Sequence, residues 1–250
     1  MVRVDLNADV GEGVGSPGDD DRLLALVTSA SIACGVHAGD ERTMRAALEA
    51  SARRGVVVGA HPSYDDRDGF GRRAVDVEPA RLVAGLEAQI GALDSLAHEC
   101  GTRVRYVKPH GALYHRMASD HMTAEAVLDA MDEFDDLVLL APAGSLAVTV
   151  AVDRNVVVAA EAFADRAYAP DGSLVSRSEP GAVITDPGDA AHRALSLALD
   201  GQIPATDGTL LALHPASICV HGDTPGALEI ATRVRVALAA GGVAVASFVS

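Results

Sequence analysis

Short apolar runs alternate along this chain with longer stretches in which apolar positions recur every three or four residues. The short runs fall at 2–7, 31–34, 56–60, 104–107, 137–141, 156–160, 217–220 and 243–248, and they read as strands. Helical periodicity fills 20–29, 41–54, 79–99, 124–133, 188–199 and 225–240, with a short helix expected after Gly144. Gly55 and Gly101 close two of these helices, where a left-handed terminating residue belongs. The stretch 163–185 has neither period and is expected to be irregular.

Strands separated by helices call for parallel βαβ units with right-handed crossovers. A doubly wound sheet gathers its chemistry at one switch point, whereas a closed barrel gathers it at the carboxyl ends of many strands. Here nearly every strand run ends in polar residues. The expectation is therefore a single-domain α/β fold over residues 1–250, a TIM-like (β/α) barrel in which seven-strand closure is also allowed.

Composition narrows the function. Apolar residues make up 49% of the 250, enough for a full core, with only 3% aromatic. Lys and Arg total 20 against 35 Asp and Glu, a net charge of −15, which argues against nucleic acid or an anionic membrane as partner. No apolar run approaches the ~20 residues of a membrane span. The first residues already alternate as a strand, not as a leader peptide. Three cysteines without a CxxC pair fit a reduced, cytoplasmic compartment.

The polar strand ends carry the candidate chemistry. They are Asn7, Asp9 and Glu12; His37 and Asp40; His61; Lys108 and His110; Glu161, Asp165 and Arg166; and His221 with Asp223. Lys108 is the chain's sole lysine among nineteen arginines, so its position calls for a compact ammonium that a guanidinium cannot replace. Four histidines at equivalent points of successive strands are hard to read as core residues. His98, His115, His121, His192 and His214 fall in helices or loops and are set aside.

Plainer roles compete for some of these residues. Asp40 and Asp223 precede helices and fit an N-cap as well as a site. Cys34 and Cys219 read as small buried hydrophobes. Asp9, His37 and His61 have the ligand types of an Asp-His-His zinc or manganese centre, although no HExxH spacing supports it. No phosphate-binding loop of known form is present. The adjacent Arg72 and Arg73, on a Gly-flanked loop, fit an anion site or a solvated charge pair equally.

Seven segments together resemble the LamB/YcsF family nearly end to end. They are residues 5–12, 32–40, 59–64, 69–73, 107–114, 161–168 and 218–223, and they include Val107-Lys-Pro-His-Gly-Ala-Leu-Tyr114 and Glu161-Ala-Phe-Ala-Asp-Arg-Ala-Tyr168. Ser31 and Val36 depart from the usual Asn and Phe. The resemblance implies a barrel related to the glycoside hydrolase and deacetylase barrels. It also implies the A subunit of an ATP-dependent 5-oxoprolinase, which converts 5-oxo-L-proline to L-glutamate at the expense of ATP together with subunits B and C. ATP would then be a co-substrate with its Mg²⁺.

For that reaction Asp9 or Glu12 is expected to act as general base and His61 or His110 as its acid partner. Lys108 would hold the developing oxyanion or phosphate, and Arg72 or Arg166 a carboxylate. Asn7, His37, Asp40, Glu161, Asp165, His221 and Asp223 are expected to line the substrate. Two other readings stand beside this one: a self-sufficient metal-dependent hydrolase or deacetylase, and a non-catalytic subunit that presents the lactam to its partners.

Overall fold

The computed structural model describes residues 2–16 and 18–249. In chain order the strands are β1 Arg3–Val10, β2 Ser29–Ala33, β3 Val57–His61, β4 Val104–Val107, β5 Val138–Pro142 and β6 Val158–Phe163, followed by β7 Gln202–Pro204, β8 Leu210–Ala212, β9 Ser217–Val220 and β10 Ala244–Val245. The helices are α1 Asp19–Leu24, α2 Glu41–Arg54, α3 Pro79–Glu99, α4 Gly111–Met117, α5 His121–Met131, α6 Leu146–Asp153, α7 Pro187–Leu199 and α8 Ala227–Ala240. Strands β1 to β6 pair in sequence and in parallel, β9 follows β6, and β9 pairs back with β1. The barrel thus closes with seven strands.

The eighth expected strand is not a stave. Of the run 243–248 only Ala244 and Val245 pair, with Arg3 and Val4 at the start of β1. Phe248 and Val249 instead turn under the barrel and join Tyr106, Leu140 and Ala159 in a small apolar cluster. Helix α1 ends at Leu24 because Ser29 is already paired in β2, so the expected helix over 20–29 is halved. Helix α4 and the antiparallel hairpin β7–β8 were not expected.

Alternation along each strand explains how a polar site forms inside an apolar fold. Val4, Leu6, Ala8 and Val10 of β1 belong to the main core beneath the helices. Asp5, Asn7 and Asp9 face the opposite way, into the lumen. At the amino end of the lumen the Phe248 ring packs edge-on to Tyr106, 5.2 Å between centroids. Above it Asp5 accepts from Thr28 Oγ1 and Ser29 Oγ at 2.7 Å and from Ser217 Oγ at 2.5 Å. Asn7 then donates to Ser217 Oγ (2.7 Å) and Glu161 Oε1 (2.8 Å), so hydrogen bonds run up the lumen to the carboxyl mouth.

Candidate functional site

The carboxyl mouth opens into a cleft of about 980 Å³. Its floor holds Lys108, which is 2% exposed. The ammonium lies 2.9 Å from Asp9 Oδ1, 2.9 Å from Glu161 Oε1 and 3.2 Å from Cys219 Sγ. Tyr114, one helical turn into α4, donates its hydroxyl to Glu161 Oε2 at 2.6 Å. Each of these groups therefore has a charged or hydrogen-bonding partner, as burial requires.

Charge states follow from that packing. Burial disfavours the Lys108 ammonium, but Asp9, Cys219 and Glu161 outweigh it and hold its pKa well above the usual value. Burial likewise raises the Asp9 carboxyl, yet the adjoining His61 ring and the Lys108 ammonium prevail and keep it ionised far below the usual carboxylate range. For Glu12 the balance falls the other way, because Arg72 is outweighed. Burial, then the nearby Asp9 and Asp223 carboxylates, push it well above the ordinary value. Burial pushes the Cys219 thiol well up, which removes it as a nucleophile.

Three histidines pack beside Glu12. His37 Nε2 is 3.4 Å and His110 Nδ1 3.5 Å from Glu12 Oε1, and His61 Nε2 is 3.5 Å from Asp9 Oδ2. The His37 and His110 rings stack at 3.9 Å between centroids, and His61 meets His110 edge-on. Gly71 makes this stack possible, since a Cβ there would press on both His110 and His37. Burial lowers His37 to about 3 and His61 to about 4, and takes His110 well below its ordinary value.

On the other side of the mouth, Asp165 is fully buried and bonds His221 through the backbone N–H (3.1 Å) and through Nδ1 (3.0 Å). Thr224 Oγ1 donates to the same carboxylate at 2.9 Å. The His221 ring stacks on Phe163, 5.0 Å between centroids. At the rim, Arg72 and Arg177 both pair with Asp223.

Of the residues singled out in the sequence, Asp9, Glu12, His61, Lys108 and His110 line the cleft, as do Arg72, Glu161, Arg166, His221 and Asp223. Asn7, His37 and Asp165 lie buried behind this lining. Asp40 does not join it. Its carboxylate accepts from Thr43 N and caps α2 at the surface, so the plainer of its two readings holds. Arg73 is spent on Asp66 within its own loop. Arg166 donates to the carbonyls of Ala182 and Val175, which makes it a brace for the loop above the cleft and not a free clamp.

Lys108, expected to hold the developing oxyanion or phosphate, turns its ammonium to two carboxylates and a sulfur. One further expectation needs correction: the Asp9, His37 and His61 metal set does not converge. Among the described residues, the donor atoms lying within 4.8 Å of one another are those of Glu12, His61 and His110, and those of Asp9, Cys219 and His221. In the second set Asp9 and Cys219 are already engaged by the Lys108 ammonium.

Sequence reasoning missed Arg177 and set aside His115, although both line the cleft. His115 follows Tyr114 in the segment that carries Lys108, so adjacency was the available signal. Arg177 sits in the irregular stretch, where no periodicity marks a direction.

Residues 4–250 match the model of the LamB/YcsF family. The chain is 52% identical to a protein named as the A subunit of 5-oxoprolinase from Streptomyces avermitilis, over 98% of this chain and 99% of that one. It is 49% identical to a 5-oxoprolinase A subunit from Agrobacterium fabrum, over 100% and 99%. Among solved structures it superposes on a lactam utilization protein from Thermus thermophilus with a TM-score of 0.91 at 41% identity, covering 98% of this chain and 100% of that one.

Proposed function

This chain belongs to the LamB/YcsF family, and from that premise we propose that it serves as the A subunit of a cytoplasmic, ATP-dependent 5-oxoprolinase. It opens the lactam of 5-oxo-L-proline to L-glutamate, working with partner subunits B and C. The observation that carries this reading is a buried, ionised carboxylate, Asp9, held by Lys108 at the foot of a cleft, in a chain about half identical to relatives of that name over their full length.

A five-membered lactam is an amide that water attacks slowly. Phosphorylation of its oxygen by ATP would turn it into an activated imidate. The site must then take a proton from water and give one to the departing nitrogen. Asp9 is ionised and faces the cleft, so it takes the proton from water. His221 gives the other: Asp165 accepts from Nδ1–H, so the proton passed to the departing nitrogen is a second one, carried on Nε2 at the cleft and returned to that ring nitrogen after each turnover. Arg72 and Arg177 at the rim exchange Asp223 for the carboxylate or phosphate of the ligand. A cleft of about 980 Å³ lies at the upper end of the range for small-molecule sites, roughly 300–1,000 Å³, and holds more than a lactam alone.

The test is glutamate release from 5-oxo-L-proline and ATP, with and without the two partner subunits. The isolated chain is expected to be nearly inactive and the reconstituted complex active. Absence of glutamate from the complete complex would remove the proposal.

A further inference from the structure

Each of the three histidines beside Glu12 has one ring nitrogen committed to an acceptor. His61 Nδ1 lies 2.6 Å from the carbonyl of Lys108, and His110 Nε2 lies 2.9 Å from the carbonyl of Phe70. A carbonyl only accepts, so both of these nitrogens carry the proton. Ser63 Oγ donates its one hydrogen to the carbonyl of Tyr64, so it accepts from His37 Nδ1 at 3.1 Å. The opposite nitrogens, His61 Nε2, His110 Nδ1 and His37 Nε2, are therefore lone-pair donors.

These lone pairs converge. His61 Nε2 and His110 Nδ1 face each other at 2.9 Å, and His37 Nε2, on a residue 1% exposed, makes no hydrogen bond at all. Two lone pairs at that distance repel unless an electrophile lies against both. Carbonyls that accept from the far ring nitrogen and so orient an imidazole are the ordinary support of metal-ligating histidines. Bonds of about 2.1 Å meeting at the right angle of an octahedral ion such as Mn²⁺ put two donors about 3 Å apart, which matches the observed spacing, and the wider angle of tetrahedral Zn²⁺ asks the two nitrogens to part to about 3.4 Å. Glu12 supplies the third donor, with its carboxyl facing the cleft.

We propose that His61 Nε2, His110 Nδ1 and the Glu12 carboxylate bind one first-row divalent cation at the mouth of the barrel. Two nitrogens and one carboxylate on one side leave positions open toward the cleft. The donor set suits Zn²⁺ or Mn²⁺, and is poor in oxygen for Mg²⁺ or Ca²⁺. This ion is distinct from any Mg²⁺ carried by ATP. The inference stands apart from the lactam reading, because metal retention and glutamate release are separate measurements.

The test uses the intact chain, stripped with a chelator and dialysed against micromolar Zn²⁺ or Mn²⁺. One ion per chain is expected to remain. His61→Ala and His110→Ala should each weaken binding by about a hundredfold, a size comparable to the upper end of losses on removing a group that orients a metal ligand. Because these variants remove core side chains and some will fold poorly, the wild type supplies a second readout. In ¹⁵N spectra of its histidines, Zn²⁺ should shift His61 Nε2 and His110 Nδ1 to the position of metal-bound nitrogen. A wild type that retains no stoichiometric ion, or ring nitrogens unmoved by zinc, would overturn the site. Undiminished affinity in a folded double variant would do the same.

Discussion

Lys108 Nζ lies 2.9 Å from Asp9 Oδ1 in a site where neither side chain is more than 6% exposed. The pair is useful to chemistry because it fixes a negative charge at the foot of the cleft. Removing one member of a buried pair typically costs about 3–5 kcal/mol, since the other charge is left without a partner. Lys108→Met is therefore expected to lower stability by that order. Lys108→Arg keeps the charge, but a planar fork does not fit the pocket between two carboxylates and a thiol. It should fold yet lose at least about a hundredfold in glutamate release by the reconstituted complex, or about 2.7 kcal/mol of barrier. Turnover within a few-fold of wild type would take Lys108 out of the mechanism.

Asp165 and His221 form a second buried pair that bears on rate more than on charge. Asp165→Asn retains the shape but removes the negative charge beside Nδ1–H, so the doubly protonated ring that gives up its Nε2 proton loses its support. The expected result is a fall in kcat of about a hundredfold or more, with KM for the lactam changed little. Steady-state kinetics of the complex decide it. An unchanged kcat would leave His221 as a wall residue only.

Gly59 and Tyr106 are matched in shape. A Cβ on Gly59 would run into the Tyr106 ring, which fills the lumen below the site and meets Ser31 Oγ at 3.2 Å. Gly59→Ala is expected to destabilise by about 1–3 kcal/mol, the usual cost of overpacking a core. Shortening the ring in the double variant Gly59→Ala/Tyr106→Leu should recover part of that loss. A double-mutant cycle by denaturant unfolding measures the coupling, and strict additivity would refute the contact.

Acid should unfold the metal-free protein through its buried histidines. His61 falls from 6.5 to about 4 and His37 to about 3, in both cases chiefly through burial. Their folded values lie below the unfolded one, so the unfolded chain binds the proton first. The stabilisation is full above pH 6.5 and is lost as pH falls toward 4 and then 3. Across its window His61 contributes on the order of 3 kcal/mol and His37 on the order of 5 kcal/mol. Denaturant midpoints measured from about pH 7 down to about pH 4 should fall, and His61→Gln should flatten the slope. A flat wild-type profile across that range would mean that these rings are already charged in the fold.

Most of the barrel was legible because its staves keep a period of two and its outer helices a period near four. The polar mouth was legible because lumen-facing positions of β1 alternate with core positions, so Asn7 and Asp9 stand out against Leu6, Ala8 and Val10. The same alternation misled at the other end of the chain. Residues 243–248 have the composition of a strand, but seven strands already close the ring, and Phe248 is used as a plug under Tyr106. Partner choice was not legible at all. Whether Lys108 meets substrate or two carboxylates depends on where Glu161 lies in space, 53 residues away in sequence. The His61–His110 pairing depends likewise on carbonyls of Lys108 and Phe70, which no side-chain pattern announces.

Asp40 separates a structural role from a functional one in a single substitution. It stands in a segment dense with polar signatures, His37-Ala-Gly-Asp40, and chemistry was one of its two expected roles. The structure gives it a reciprocal cap instead: its carboxylate accepts from Thr43 N at 2.8 Å, and Thr43 Oγ1 accepts from Asp40 N at 2.8 Å. Asp40→Ala should therefore cost about 1 kcal/mol of stability, with Asp40→Asn nearly neutral because Asn caps as well as Asp. Neither change removes a group from the cleft, so glutamate release by the complex should stay within about twofold at a temperature where both variants remain folded. If Asp40→Asn instead lost most of its turnover at unchanged stability, the carboxylate charge would be acting on the reaction, and the cap would not be its purpose.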